Sequence, residues 1–492
     1  MKNRIDPAGQ QLPIKLDATS NGEFEPIALS RANLLANHLA NEQATINAKR
    51  RSVSRRDFLV SACGAASTLL AFNQANAASG KHGGWFDLEP DAALDSQLAA
   101  TQLDKDEFIF DVQGHFVDPT GSWVKQLPPG ARPLSFAPKT RCDLSGQPGD
   151  LSYLNCLSGD EFIKDVFLDS DTDMMVLSFV PSRSDAEPLT IEAADAVRRI
   201  IDQMEGSHRL LLHGRVNPNQ DGDVDRMDEL AQRWGVSAWK TYTQWGPDGK
   251  GFFLTDDVGL RFIERARDLG VKVICIHKGI PFGKRSYEHS QCTDIGPVAK
   301  MFPDVSFIIY HSGFVPGNDE QAYVENSGRD GVDTLIRSLR DNGIGPNSNV
   351  YAELGSTWRF AMRDPDNAAH LMGKLLRYVG ENNVLWGTDS IWYGSPQDQI
   401  QAFRTFQISE TFRERFGYPE ITPEIRARVF GRNATKPYGI SAEDARRFAR
   451  SDHVARQRAA YREHPQPHFR TYGPKTRREF LNLLRWNGGS RA

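Results

Sequence analysis

The sequence predicts an α/β protein: a (β/α)8 TIM-type barrel with an insertion after its first strand and a helical extension at its C-terminus. Short apolar runs alternate with helix-like segments eight times between residues 108 and 406, which is the pattern of buried parallel strands and their crossover helices. Four runs are followed by polar residues: His115 after 108–112, His277 after 271–276, His311 after 305–310 and Asp389 after 384–386. A parallel barrel gathers the C-terminal ends of its strands around one mouth, so these four would share a pocket. There is no GxGxxG after the first strand and no GK[ST] phosphate loop, which argues against a nucleotide-binding doubly wound sheet.

The elements follow in order. Strand one is read at 108–112, and the Pro- and Gly-rich stretch 117–158 as an inserted lid or side lobe. Helix 160–168 leads to strand two at 173–179, helix 190–203 to strand three at 210–216, and helix 223–234 to strand four at 236–240. Helix 257–269 ends at Gly270, a left-handed cap, before strand five at 271–276. Helix 295–302 stops at Pro303 ahead of strand six at 305–310. Helix 332–342 precedes strand seven at 350–353, and helix 367–379, closed by Gly380, precedes strand eight at 384–386. Helix 397–406 completes the set, and the barrel as a whole is placed at 106–440.

Charge separates the flanks from this body. The chain of 492 residues carries a net charge of −4, but residues 1–77 hold 9 basic and 6 acidic groups and residues 441–492 hold 12 and 5. An acidic body gives no electrostatic case for nucleic acid, and no apolar run reaches the length of a membrane span. The basic tail 441–492 is read as Arg-rich helices ending in a segment with Phe480, Leu481, Leu483 and Leu484 on one face. That face is expected to pack on the barrel or on a second copy of the chain.

Residues 54–77 combine Arg55-Arg56 before Phe58-Leu59, a mildly apolar stretch to Phe72 and the small-residue site Ala75-Asn76-Ala77. This resembles a twin-arginine signal peptide. It implies passage through the twin-arginine translocation machinery to the periplasm or outside the cell, with cleavage after Ala77. Residues 1–53 are expected to be a disordered extension, and 78–105 a leader into the barrel. Cys142 and Cys156 lie in the insertion and can pair in an oxidising compartment, while Cys275 reads as a small core residue. No CxxC spacing points to structural zinc.

Neutral imidazole and carboxylate held on a rigid frame are metal ligands. Strands one, five and eight offer His115, His277 and Asp389. His311, within His311-Ser312-Gly313, is read as polarising a carbonyl or carrying a proton. Trp392 is among the aromatic residues near strand ends that are expected to line a flat pocket. Arg359, after strand seven, is a candidate clamp for a substrate carboxylate because guanidinium binds it bidentately.

These stretches resemble the amidohydrolase-related metal-dependent hydrolases, a family that includes aminocarboxymuconate-semialdehyde decarboxylase and related aromatic-acid decarboxylases. The resemblance rests on Phe110-Asp111-Val112-Gln113-Gly114-His115, Ile276-His277-Lys278-Gly279, Phe302-Pro303-Asp304-Val305 through His311-Ser312-Gly313, Trp386-Gly387-Thr388-Asp389, and Gly431-Arg432-Asn433-Ala434. It implies His115 and His277 as ligands of one divalent cation, zinc before manganese. It also implies Asp389 as ligand and proton carrier, His311 as catalytic histidine, and Lys240 as a residue reaching a substrate carboxylate. Gln113 departs from the family's His-x-His or Glu-x-His pattern, since an amide oxygen is a neutral and poorer donor. A weaker site, a changed metal preference and a metal-free barrel are the readings it leaves open. Three functions follow: hydrolysis of a small ester, lactone or amide through a metal-activated water; non-oxidative decarboxylation; or binding without catalysis.

Overall fold

The computed structural model describes residues 6, 8–126, 152–203, 208–282 and 287–486. Eight strands run parallel in chain order: β1 (Phe110–Gly114), β2 (Met174–Leu177), β3 (Leu210–Arg215), β4 (Ala238–Tyr242), β5 (Val273–His277), β6 (Ser306–Tyr310), β7 (Val350–Glu353) and β8 (Val384–Leu385). The segment after β8 closes the ring on β1. Val112 N–H donates to the Trp386 carbonyl and Asp389 N–H to the Gln113 carbonyl, both at 3.0 Å, and Gly114 bridges Ser390. The expected (β/α)8 barrel is the fold.

Period-two alternation within continuous apolar runs sorts the side chains. Val273 and Cys275 join Phe110, Val112, Met174, Val176, Ile308 and Tyr310 inside the barrel, while Ile274 and Ile276 face the helices. Both faces of the strands are buried, which is why their sequence lacks polar alternation. β1, β4 and β5 run further than the apolar runs suggest, so Gln113, Tyr242 and His277 lie within the sheet. Polar groups are accommodated there because they meet partners in the barrel mouth.

Residues 8–53 correct the expectation of a disordered extension. Helix α1 (Arg31–Arg50) starts at Ser30, whose hydroxyl accepts from Asn33 N–H while the Asn33 side chain accepts from Ser30 N–H. Its buried face is Asn33, Ala36, Ala40, Ala44, Asn47 and Ala48, and Leu34 is 57% exposed. Small residues let α1 lie close to a neighbouring helix, so the usual leucine stripe is absent. Helix α2 (Arg55–Val60) leads into that neighbour, α3 (Ala62–Ala78).

The segment read as a signal is therefore interior. Cys63, Ala66, Leu69, Phe72 and Ala75 of α3 are buried in the main core. Arg55 donates to the carbonyls of Gly9 and Asn41, each at 2.7 Å. Arg56 is buried, bonded to the Pro467 carbonyl and stacked 4.9 Å from the Phe469 ring. In the leader that follows, Gly84–Phe86 pairs antiparallel with Phe406–Ile408, tying it to the end of the last barrel helix.

The tail folds back on the barrel. Its helices Ala442–Arg450 and His453–Arg462 sit at the end where the strands begin, with Arg209 on Asp452 at 2.6 Å and Arg458 on Asp173 at 3.1 Å. Helix Arg477–Trp486 buries Phe480 and Leu483, and leaves Leu481 39% exposed. The Leu484 side chain lies outside the described residues, as does Cys142 of the insertion; Cys156 is disulfide-bonded. Among the described residues, no helix is long and apolar enough to cross a membrane.

Candidate functional site

Strand ends and the turns beyond them aim the polar side chains. A register shift in β1 between Asp111 and Gly114 is a bulge of the kind that re-aims side chains. After it, Gln113 and His115 share a face with Asp389. His311, Ser356 and Asp389 stand just past β6, β7 and β8 with φ of 64°, 54° and 59°. Left-handed backbone at such residues costs on the order of 1–3 kcal/mol each and is held only by surrounding contacts. Gly387 is required at its place, because a Cβ there would lie 1.5 Å from Glu353 Oε1.

One cluster is built on Asp389. Its Oδ1 accepts from Gln113 Nε2 and His115 Nε2, both at 3.1 Å. Its Oδ2 accepts from Ser356 Oγ at 2.5 Å and Asn21 Nδ2 at 2.9 Å. Burial alone would raise this carboxyl, but the bond and charge of His115, with His311 and Ser356, outweigh it and hold Asp389 well below the usual range. Gln113 Oε1 and His115 Nδ1 are buried without a hydrogen-bond partner.

A second cluster joins His277, His311 and Glu23, whose ligand atoms lie within 4.8 Å of one another. His311 Nδ1 is 2.7 Å from the Gly355 carbonyl and His277 Nε2 is 3.4 Å from the Ile280 carbonyl. A carbonyl only accepts, so each of those nitrogens carries its ring's hydrogen. The remaining nitrogens, His277 Nδ1 and His311 Nε2, face each other at 3.2 Å as bare acceptors. Glu23 Oε1 stands 3.7 Å from His277 Nδ1. Burial pushes His311 down to about 4 and, with the neighbouring His311 and Lys240 charges, drives His277 well below its ordinary value. Burial also pushes Glu23 up to about 8. Two neutral imidazoles and a carboxyl that a nearby cation would hold ionised are a donor set that fits a divalent cation. The other group of this kind among the described residues is Glu161, Asp165 and His468.

A cavity of about 140 Å³ opens beside Asp389 and His115. Its walls include Phe116, Val117, Trp123, Leu189, Trp392 and Leu483, with Asn21, Gly22 and Glu23 across the opening. The Trp392 ring lies nearly parallel to His115, 27° between planes at 5.9 Å. Among the described residues lining it there is no lysine or arginine.

Sequence reading and structure agree unevenly on this site. His115, Gln113 and Asp389 come together, and His277 and His311 come together, but as two neighbouring clusters. His311 is expected to polarise a carbonyl or carry a proton; its Nδ1–H is taken by the Gly355 carbonyl, and Nε2 is the nitrogen left to accept a proton. Lys240 does not reach the cavity. It is fully buried inside the barrel, 3.5 Å from the Tyr310 ring centroid and 4.6 Å from that of Tyr242, its Nζ without a hydrogen-bond partner. Arg359 clamps a carboxylate of its own chain, with Nη2 on Asp17 Oδ1 at 2.8 Å and Nη1 on the Lys15 carbonyl. Two carboxylates escaped the sequence reading. Glu353, receiving His311 N–H at 3.0 Å and Gly355 N–H at 2.5 Å, was signalled by an acid ending a buried strand. Glu23 had no local signal.

A family model described as Amidohydrolase matches residues 160–440. Among solved structures, an uncharacterized TIM-barrel protein from Bordetella bronchiseptica is similar at 14% identity over 69% of this chain and 99% of its own, with a TM-score of 0.41. A 2,6-dihydroxybenzoate decarboxylase from Rhizobium is similar at 14% identity over 68% and 98%, with a TM-score of 0.39. A 4-oxalomesaconate hydratase from Rhodopseudomonas palustris is similar at 14% identity over 69% and 98%, with a TM-score of 0.38. No curated protein sequence matches the chain.

Proposed function

The chain belongs to the amidohydrolase family, and from that premise we propose that it is a metal-dependent hydrolase of a small, uncharged ester, lactone or amide. The observation that carries this reading is the cavity beside Asp389: it has apolar walls and no described cation to hold a substrate carboxylate. Its volume of about 140 Å³ suits a one-ring molecule, since an apolar cavity of about 150 Å³ takes up benzene.

His277 and His311 would be the nitrogen ligands of the ion, with the Asp389 cluster beside them. When bound, the ion supplies Lewis acidity and makes a water more acidic. We assign the proton to Asp389 because it lines the cavity, with His115 and Gln113 orienting one of its oxygens and Ser356 and Asn21 the other. Fixing both oxygens removes the reorganisation that a free carboxylate would undergo. Trp392 and its apolar neighbours orient a flat substrate and keep bulk water out.

Decarboxylation of an aromatic acid is the second reading, favoured by the flat Trp392 wall and the one-ring volume. The test is a product assay on zinc- and manganese-loaded protein with esters, lactones, amides and hydroxybenzoates. Hydrolytic turnover that Asp389→Asn lowers at least about 100-fold supports the first reading. Carbon dioxide release without hydrolysis supports the second. Failure of the wild type to bind either metal refutes both and leaves the binding barrel.

A further inference from the structure

Resting on the metal-dependent reading above, we infer that Glu23 is a ligand of the metal, carried into the barrel mouth by a strap of residues 14–24. Residues 14–78 are accordingly a permanent part of the enzyme and not a removable leader.

The geometry around the imidazole pair leads to this. His277 Nδ1 and His311 Nε2 point lone pairs at each other across 3.2 Å, and Glu23 Oε1 adds a third acceptor 3.7 Å from His277 Nδ1. Two bare nitrogens facing each other repel, and a cation held between them and Glu23 would relieve that repulsion. The other oxygen of Glu23 accepts from Asn21 Nδ2 at 2.5 Å, which turns Oε1 toward the rings. Charge points to the same residue. β1 supplies the neutral Gln113, whose Oε1 has no partner, and both oxygens of Asp389 already hold two hydrogen bonds each. A second carboxylate would balance the charge of a divalent ion, and Glu23 brings one from outside the barrel.

The strap is fixed as a ligand-bearing segment must be. Lys15 Nζ donates to the carbonyls of Tyr393 and Ser395 at 2.7 and 2.8 Å, beyond β8. Arg359, beyond β7, holds Asp17, and Ser20 N–H donates to the Pro474 carbonyl at 2.9 Å. The Lys15 and Asp17 anchors lie on the same segments that carry Asp389 and Ser356, and the Pro474 anchor lies on the C-terminal tail. Chain continuity extends the claim. The strap leads through α1 and α2 to α3, and cleavage after Ala77 would strip the site of Glu23 and the core of Leu69 and Phe72.

The experiment compares full-length wild type, Glu23→Gln and Glu23→Asp by cobalt(II) titration, the visible absorption of the cobalt forms, and metal-free thermal melting. Glu23→Gln keeps the side-chain shape and is expected to bind cobalt at least about 100-fold more weakly, beyond the 10–100-fold loss typical of residues behind the ligands. Its cobalt band should shift while the metal-free melting curve stays with wild type. Glu23→Asp, which keeps the charge, should fall between. Equal affinity and an unchanged band in both variants overturn the inference and leave the metal-dependent reading standing. A wild type that binds no cobalt removes that reading first. Intact mass of the cobalt-binding protein isolated from its own cells gives a separate check: a form beginning at residue 78 overturns the inference.

Discussion

Replacing Arg359 with leucine separates its two assignments, substrate clamp or anchor of the strap. The guanidinium is 1% exposed and donates to the Lys15 carbonyl and to Asp17 Oδ1. Leucine keeps part of the apolar bulk and removes both bonds. Hydrogen bonds to a charged group contribute about 1.5–3 kcal/mol each, which gives about 3–6 kcal/mol for the two. The Asp17 side chain is 31% exposed, so water recovers part of that carboxylate and the low end, about 3 kcal/mol, applies. Local opening of residues 14–24 then becomes about 100-fold more frequent, at 1.4 kcal/mol per decade. Amide exchange read by mass spectrometry at Ser20 and Lys15, which bond Pro474 O and Asp398 Oδ2, measures it directly. The pH sign follows from Asp17. The Arg359 charge, with Lys475 and the hydroxyls of Thr471 and Thr19, outweighs burial and holds its carboxyl well below the usual range. The contribution is therefore complete above the ordinary value of 3.8 and is lost as pH falls toward the folded value. Wild-type protection, corrected for intrinsic exchange, should decay in acid more steeply than that of the variant, in which Lys475 and Thr471 still hold Asp17. Unchanged exchange together with a raised KM would return Arg359 to the substrate and sink the anchoring argument.

Other perturbations bear on the same structure. Lys240→Met should stabilise the protein by about 1–2 kcal/mol at pH 7: burial pushes this lysine from 10.5 to about 8, a cost of about 3 kcal/mol, against about 1–2 kcal/mol of cation–π attraction. Between those two values the unfolded chain binds the extra proton, so wild-type stability in urea should rise with pH across that window and the methionine variant should lack the rise. Leu69→Ala, in the helix read as a signal, should cost about 2–5 kcal/mol; a denaturation midpoint equal to wild type would mean that α3 is not part of the folded body. Gln113→His adds an imidazole beside His115 and Asp389 and should tighten cobalt binding at least about tenfold; calorimetric titration showing no gain would place that position outside the metal's reach.

The barrel was legible because its strands are buried on both faces and read as uninterrupted apolar runs. The errors came where polar residues end those strands. Two residues mattered at β4: placing its end at Lys240 instead of Tyr242 turned an interior lysine into a rim lysine. α1 was missed because alanine and asparagine form its buried face, and no apolar period marks such a helix. The Arg55-Arg56 pair satisfies a signal motif locally, yet Arg56 is held by Pro467 and Phe469, about 400 positions away. No local pattern carries that information. Glu23 was invisible for the same reason, since its role depends on where a strap returns.

Charge in the mouth argues for the kind of molecule it accepts. Lys240 and Glu353 lie within electrostatic reach of each other, and burial pushes Glu353 up to about 8. On the metal-dependent reading a bound cation would lower a neighbouring carboxyl, which would leave Glu353 ionised and paired in charge with Lys240. Glu23 and Asp389 then cancel the divalent ion. A neutral substrate enters such a pocket without leaving a charge uncompensated. A carboxylate would bring one unpaired negative charge into an apolar cavity, a cost of several kcal/mol, while Arg359 is spent on Asp17 and Lys240 lies inside the barrel. Removing the ester from a substrate to give the free acid should therefore raise its dissociation constant at least about 100-fold. Equal binding of acid and ester by calorimetry would mean that a cation outside the described lining serves the pocket, and the hydrolase reading would lose its support.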